Sequence, residues 1–508
     1  MKMNFETYKN KVQACWLGKN IGGTLGAPFE CNRGVVDLDY YTHDLKLGVL
    51  PNDDLELQLV WLNAAERYGK EVNAKILGEY WLSYITAEIS EYGTGMNNMK
   101  AGICPPLSGW YHNHNKDSNG AFIRSEIWAC LAPGHPEIAT RYAREDAIVD
   151  HADEGLYGEL FCAAVESAAF CESDMHKLVE IGLSYIPDDC AVAGAIRLAI
   201  KCYKDGLDWK AARKKMLQTY PGSFGAYNGY KYSDPEPDVP TGELGFDVPS
   251  NIGIMMIGWI YGEGDFSKSI CIAAGCCEDG DCTAGTLGSI LGIIGGTEII
   301  DEKWLAPIGD EIKTSCLCMT KQLPGGATFP ATVTQFTERV IKLMPTFMHG
   351  HFGFNDKGEI ELDLSENLAD KATERGPFER IYLREELCVD SRCVTDENTI
   401  LKMRIEYDKD INIRENEEKN FKIYIDNKVR EPHWLNIKWH VPETWKVYPA
   451  KEMPLYVDHA HGGYALTEAA ASIIPAEMDK GKYDVLVEVS ALGRPSKLYL
   501  PVTLIVAK

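Results

Sequence analysis

The sequence has no excess of positive charge and no long hydrophobic run. Its 51 lysine and arginine residues stand against 75 aspartate and glutamate residues, which gives a formal net charge of −24. A protein that neutralises nucleic-acid phosphates needs the opposite balance. No run approaches the roughly 20 apolar residues of a membrane-spanning helix, and the first residues lack the apolar core of a secretory signal. We therefore expect a cytoplasmic protein that binds neither nucleic acid nor a membrane.

The sequence also lacks the cysteine spacing of a structural zinc site or a thioredoxin-like redox site. None of its 16 cysteines forms a Cys-x-x-Cys pair. Many of them lie within apolar stretches such as 161–164 and 270–272. This placement predicts buried, reduced thiols.

The period of the hydrophobic pattern divides the chain into two parts. Apolar residues recur three and four apart up to about residue 348, which predicts the helices Leu55–Tyr68, Ala139–Ala147, Leu156–Phe170 and Val192–Tyr203. Apolar and polar residues then alternate, which predicts strands around 401–407, 421–425, 435–441, 483–489 and 498–504. The sequence thus predicts an all-α domain over 1–350, a connector over 351–380 and an all-β immunoglobulin-like sandwich over 381–508. We expect one helix, Leu466–Ile474, to interrupt the sandwich.

Glycine, proline, aspartate and tyrosine crowd together between Tyr220 and Pro249. Such a run does not form a helix. Two interpretations stay open, a mobile surface loop and a lid over a site.

Two aspartates, Asp279 and Asp281, stand at the start of a predicted helix, followed by Cys282. Backbone amides at a helix start favour negative charge, so capping alone would explain the pair. The helix that follows has a small residue at every fourth position, namely 284, 288 and 292, which leaves one face nearly bare. This face predicts that another backbone packs very closely and fixes the two aspartates in space.

A second acidic motif, Asn52-Asp53-Asp54, precedes the amphipathic helix predicted from Leu55. If the two motifs converge, their carboxylates repel one another and cannot all stay ionised without a cation. Oxygen ligands select magnesium or manganese, with calcium as an alternative. The competing interpretation is two ordinary acidic helix caps on opposite sides of the protein.

The order of these motifs resembles the ADP-ribosylglycohydrolase family over roughly residues 8–315. The family's Gly-x-x-x-Gly-x-x-x-Glu helix is matched by Gly22, Gly26 and Glu30, its Thr-Asp-Asp-Thr by 52–55, and its closing Asp-x-Asp motif by 279–282. The segments 118–124 and 150–155 also look like middle segments of the family. The resemblance implies that the acidic motifs meet around one or two Mg²⁺ or Mn²⁺ ions, which bind the ribose hydroxyls of the substrate.

Carried over by position, the resemblance implies metal ligands at Asn52, Asp53, Asp54, Asp279, Asp281 and Cys282 and a catalytic carboxylate at Glu30. Asp153 is a secondary catalytic candidate. Glu91 and Glu126 are weaker carboxylate candidates because they lie beside the Gly- or Asn-bearing stretches 92–95 and 119–120, and with Asn119 and Gly120 they are the expected substrate contacts. This chain departs from the family at Asn52, Leu55 and Cys282, where many members have threonine. A thiol is a poor partner for magnesium, so one of two metal positions is expected to be weak or missing.

Three functions are compatible with the sequence. The first is metal-dependent hydrolysis of an ADP-ribosyl or related ribosyl bond. The second is a furanosidase-like glycoside hydrolase acting on a carbohydrate without ADP, because the sequence offers no basic cluster to hold a pyrophosphate. The third is a catalytically degenerate binding protein. The expected partner is a small molecule or glycan with vicinal hydroxyls, and two roles stay open for the β-domain, packing on the helical domain and homodimerisation.

Overall fold

The computed structural model of the chain describes residues 1–229, 231–232, 234, 236–314, 328–374, 393–459 and 466–507. The chain divides into two units, Met1–Cys388 and Val389–Lys508. Within the described ranges, no helix combines the length and the apolar character needed to cross a membrane. The first residues of the predicted β-domain, 381–392, lie outside these ranges.

The first unit is built mainly from helices. The four predicted helices named above are confirmed as Asp53–Tyr68 (α2), Pro136–Ala147 (α7), Glu154–Ala168 (α8) and Ala191–Lys204 (α10). Other helices of this unit are capped by aspartate side chains that accept hydrogen bonds from backbone amides, for example Asp174 and Asp208. The helices are α1 Phe5–Gly26, α2 Asp53–Tyr68, α3 Ala74–Tyr84, α4 Ser90–Lys100, α5 Leu107–Trp110, α6 Glu126–Leu131, α7 Pro136–Ala147, α8 Glu154–Ala168, α9 Met175–Leu183, α10 Ala191–Lys204, α11 Trp209–Thr219, α12 Gly225–Asn228, α13 Val248–Gly262, α14 Phe266–Gly275, α15 Gly280–Gly295, α16 Glu302–Leu305, α17 Val333–Phe347 and α18 Leu368–Glu374.

Helices α1, α13 and α15 form the centre of this unit, because each is buried along most of its length. Helix α13 is apolar nearly all round, as expected for a helix enclosed by others. A two-stranded ribbon joins the loops that precede α2 and α15, with β2 (Asn32–Arg33) antiparallel to β3 (Cys277–Glu278). This ribbon ties the end of α1 to the start of α15.

The predicted connector contains regular structure that packs on the first unit. Strands β4 (Phe352–Phe354) and β5 (Ile360–Asp363) join β1 (Lys2–Asn4) in a three-stranded sheet, and α18 follows. His135, just before α7, contacts the carbonyl oxygen of Asp363 at 2.7 Å. Residues 375–380 of the predicted connector lie outside the described ranges.

The second unit contains two five-stranded sheets with the expected alternation of buried and exposed residues. Their strand orders are β12-β10-β14-β15-β8 and β11-β13-β9-β7-β6. The rings of Phe421 and Trp439, one from each sheet, lie 5.2 Å apart, so the sheets share a core. The strands are β6 Cys393–Glu397, β7 Leu401–Tyr407, β8 Asn412–Ile413, β9 Lys419–Asn427, β10 His433–His440, β11 Lys446–Tyr448, β12 Glu452–Val457, β13 Leu466–Ile474, β14 Lys482–Ala491 and β15 Lys497–Val506.

The helix predicted for Leu466–Ile474 is wrong, because this segment is strand β13. It pairs with β9 from Leu466 opposite Asp426 to Ile473 opposite Lys419. Its three consecutive alanines favour a helix locally, but pairing with β9 on one side and β11 on the other decides its conformation. The other predicted strands of this unit are confirmed.

Candidate active site

Helices α1 and α15 approach each other closely because both carry glycine at the contact. A Cβ atom built on Gly22 would lie 2.1 Å from the carbonyl oxygen of Ala284, and one on Gly18 would lie 2.0 Å from that of Gly288. Only glycine fits such a backbone contact. The close approach predicted for the bare face of α15 is therefore confirmed. It brings Glu30, just beyond the end of α1, towards the start of α15.

The acidic side chains of the two motifs form two overlapping groups. Single ligand atoms of Asp54, Asp281 and Cys282 lie within 4.8 Å of one another, and so do those of Glu30, Asp279 and Asp281. Asp281 belongs to both groups. The structure thus brings together residues from α2, from α15 and from the loop after α1.

Asn52 and Asp53 lie beside these groups at the start of α2. Asn52 precedes the helix but makes no capping hydrogen bond with its side chain. The absence of a side chain at Gly23 leaves room for it, since a Cβ there would lie 2.2 Å from Asn52 Nδ2. Asp53 is half-buried, and its negative charge helps to raise the pKa of Glu30.

The pKa values of these acids are raised, by burial first and by their mutual repulsion second. Glu30 has an exposed side chain, yet protein surrounds it closely enough that its pKa rises to about 8. The pKa of Asp53 rises to about 7, and those of Asp279 and Asp281 lie well above their usual range. Full ionisation of this cluster therefore requires a compensating cation.

Several buried polar atoms at the cluster have no hydrogen-bond partner among the described residues. They include Asp281 Oδ1, Asn52 Oδ1 and Asn119 Oδ1. Unpartnered buried oxygens are costly, and a hard divalent cation satisfies them. The residues present thus fit Mg²⁺ or Mn²⁺, with Glu30, Asp279 and Asp281 as the group that would hold it.

Three of the expected substrate contacts border the cluster. Asn119 Nδ2 donates to Asp279 Oδ2 at 2.6 Å. The next residue, Gly120, makes room for Glu91, because a Cβ there would lie 2.3 Å from Glu91 Oε1. The same oxygen, Glu91 Oε1, lies 3.7 Å from His151 Nε2. Burial lowers the pKa of His151, but Asp150 and Glu91 outweigh burial and raise it to about 9.

Glu126 and Asp153 each pair with a lysine. The side chain of Glu126 is fully buried and pairs with Lys19 at 2.8 Å, so it has no surface to offer a substrate. Asp153 instead pairs with Lys116 at 2.5 Å, and its side chain is 44% exposed. Neither position was evident from the sequence, because both depend on lysines distant in the chain.

The segment 220–249 is anchored beside the acidic cluster by a buried ion pair that the sequence did not reveal. Arg33 Nε and Nη2 donate to the two carboxylate oxygens of Glu278 at 2.7 and 2.9 Å. The same guanidinium donates to the carbonyl oxygens of Gly222 and Pro240, both at 2.9 Å. Residues 230, 233 and 235 lie outside the described ranges. At Gly222 and Pro240 the segment is therefore hydrogen-bonded to Arg33 beside the cluster.

Comparison with known proteins gives one informative match. A sequence model of the ADP-ribosylglycohydrolase family matches residues 4–329, more than half of the chain. No curated protein matches. A solved structure that matches is the crystal structure of the GAE domain of GGA2p from Saccharomyces cerevisiae, at 19% identity over 22% of this chain and 95% of that chain. Its TM-score of 0.15 is too low to support a structural relationship. The match over residues 4–329, which spans both acidic motifs, shows that the chain belongs to the ADP-ribosylglycohydrolase family.

Proposed function

We propose that this protein is a divalent-metal-dependent hydrolase that cleaves the glycosidic bond of an ADP-ribosyl or related ribosyl substrate. Membership of the family supports glycosidic-bond hydrolysis. The observation that carries the metal dependence is the grouping of Glu30, Asp279 and Asp281. In the described part of the chain, none of these three carboxylates forms an ion pair with a basic side chain, so their charge calls for a cation from outside.

The metal would be Mg²⁺ or Mn²⁺, with Ca²⁺ as an alternative, because the donors are hard oxygens. When bound, it would orient vicinal hydroxyls of the substrate and act as a Lewis acid. Asp279 is held for this role by the amide of Asn119. Glu91, backed by His151 and seated against Gly120, would hold the sugar at the border of the cluster.

Glu30 is the proposed proton-transferring carboxylate. It is exposed, whereas Asp279 and Asp281 are only 4% exposed, so Glu30 alone of the three exchanges protons freely with solvent. In the metal-free protein, burial and the neighbouring carboxylates raise the pKa of Glu30 to about 8, so it holds a proton near neutral pH before a cation binds. Asp153 stays a secondary candidate.

Replacing Glu30 with glutamine separates proton transfer from metal binding. Glu30→Gln keeps the side-chain size and one oxygen ligand but removes the transferable proton. Turnover of an ADP-ribosyl substrate should fall by about 10²–10⁴-fold, while the calorimetric Kd for Mn²⁺ changes less than about tenfold. Asp281→Asn is the comparison, since it should lose both. Wild-type turnover that is unaffected by EDTA would contradict the metal-dependent mechanism.

A second candidate is a furanosidase-like glycoside hydrolase whose substrate carries no ADP. The buried basic groups near the acids, Lys19, Arg33 and Arg124, are each already paired with carboxylates of the protein. None of these three is left to hold a pyrophosphate. Assays on ADP-ribosylated protein, ADP-ribosyl small molecules and aryl furanosides separate the two candidates. Activity on ADP-ribose conjugates alone would exclude the second.

We also propose that the C-terminal unit is an immunoglobulin-like sandwich. Support comes from its two five-stranded sheets with a shared aromatic core. Outer-face aromatics such as Trp434 and Tyr456, whose rings lie 5.4 Å apart, are about half exposed.

A further inference from the structure

A lysine side chain lies buried directly behind the acidic cluster. Lys19, on α1, has no solvent-exposed surface, and its Nζ lies 3.1 Å from Asp54 Oδ2 and 2.8 Å from Glu126 Oε1. It also donates to Thr286 Oγ1 on α15 at 3.1 Å. Burying an ammonium group is costly unless carboxylates compensate it. The fold therefore places a fixed positive charge between two acids at the base of the cluster.

Both carboxylate oxygens of Asp54 are engaged by the protein itself. Oδ2 faces the ammonium of Lys19, and Oδ1 accepts from the thiol of Cys282, with Sγ at 3.4 Å. A thiol is a poor ligand for a hard cation, so Cys282 offers little to a second Mg²⁺ or Mn²⁺. The group formed by Asp54, Asp281 and Cys282 is thus closed to a second ion, although its atoms lie close together.

The other group remains open. Glu30, Asp279 and Asp281 lie within ligand distance of one another, and Asp281 Oδ1 is buried without a hydrogen-bond partner among the described residues. Asp281 belongs to both groups, so in a two-ion centre it would be available to both ions. In this chain, the group that contains Asp54 already has a positive charge beside it, the ammonium of Lys19.

We propose that the Lys19 ammonium takes the place of a second divalent cation, so that the centre binds a single ion at Glu30, Asp279 and Asp281. This inference rests on the proposed metal dependence and adds the number of ions. Lys19 is then a positioning residue: its ammonium holds Asp54 Oδ2 at 3.1 Å and shares its positive charge between Asp54 and Glu126. The two overlapping acidic groups would then bind one divalent cation between them instead of two.

Counting bound Mn²⁺ on the full-length protein tests the inference. The metal-free protein is titrated with Mn²⁺ by calorimetry, and the bound ion is examined by electron paramagnetic resonance. We expect one Mn²⁺ per chain with the signal of an isolated ion. Two Mn²⁺ per chain with an exchange-coupled signal would overturn the role of Lys19 and leave the proposed function standing. No stoichiometric binding would overturn both, and would favour a catalytically degenerate protein.

Replacing Lys19 tests whether it prevents a second divalent cation from binding. Lys19→Met keeps much of the side-chain length but leaves Asp54 and Glu126 without a buried counter-charge. We expect it to bind a second Mn²⁺ and to gain a larger increase in thermal midpoint from Mn²⁺ than the wild type. Glu126→Gln is the matched control, since it leaves Lys19 on Asp54 and should still bind one ion. A folded Lys19→Met that binds only one ion would refute the proposal, and if this variant does not fold, the wild-type count decides.

Discussion

The contact between α1 and α15 should not tolerate a methyl group at Gly22. In Gly22→Ala the new Cβ would lie 2.1 Å from the carbonyl oxygen of Ala284 and 2.6 Å from the amide nitrogen of Gly285. Both are backbone atoms, so no side chain can rotate to make space. Ordinary contacts need about 3.5 Å, and the two helices must therefore separate by roughly 1 Å.

The expected cost follows from two opposing effects. Overpacking typically destabilises by about 1–3 kcal/mol, and a contact between two backbones belongs at the upper end. Alanine has the better helix propensity by about 1 kcal/mol. We expect Gly22→Ala to lose about 2 kcal/mol in free energy of unfolding. Mn²⁺ binding should weaken as well, because α15 carries Asp279 and Asp281 whereas Glu30 follows α1.

Urea denaturation followed by tryptophan fluorescence measures the stability, and calorimetry measures the Mn²⁺ affinity. Gly353→Ala in β4 is the matched control, because a Cβ there meets no atom within 4 Å. The control should unfold at nearly the wild-type urea concentration. The reasoning is refuted if Gly22→Ala matches the wild type in both measurements.

Two further predictions concern the metal and the pH. At a Mn²⁺ concentration a hundredfold above the Kd, the wild type should gain about 2.7 kcal/mol in free energy of unfolding. The thermal midpoint of Asp281→Asn should not respond to Mn²⁺. An equal stabilisation of this variant by Mn²⁺ would contradict the role of Asp281 as a ligand. Without metal, thermal stability should fall as the pH rises from about 5 to about 8, because the folded protein keeps protons on Asp53 and Glu30, with pKa values of about 7 and about 8, after the unfolded chain has released them near the usual values of 3.8 and 4.5. Thermal midpoints measured across this range check the sign, and saturating Mn²⁺ should flatten the profile.

The acidic motifs could be located in the sequence because each is a local pattern at a helix start. Their convergence could not be derived in the same way. Asp54 on α2 and Cys282 on α15 are separated by 228 positions, and α1 contacts both helices, through Lys19 on Asp54 and through Gly22 on Ala284. The repeat of small residues on α15 predicted a close neighbour but did not identify it. Resemblance to the family supplied the missing link.

Charges buried in helices were harder to interpret. Lys19 stands between Gly18 and Asn20, and a lysine in a helix usually lies at the surface. The signal that was available is its setting in the mostly small and apolar run 14–26, which leaves little of the helix for solvent. Arg33 and Glu278 gave no local signal at all, since 245 positions separate the partners.

The distribution of counter-charges around the site supports the proposed metal position. Three buried acids behind and beside the cluster have a basic partner: Glu126 faces Lys19, which also faces Asp54, Glu278 has Arg33, and Asp150 has Arg124. Glu30, Asp279 and Asp281 form no ion pair within the described residues, and their pKa values are raised. Burial alone does not distinguish the two sets, because Asp279 and Asp281 are nearly as enclosed as the paired acids. The difference is that this fold supplies basic side chains for the first set, whereas the described residues supply none for the second set, which would take its positive charge from a bound ion.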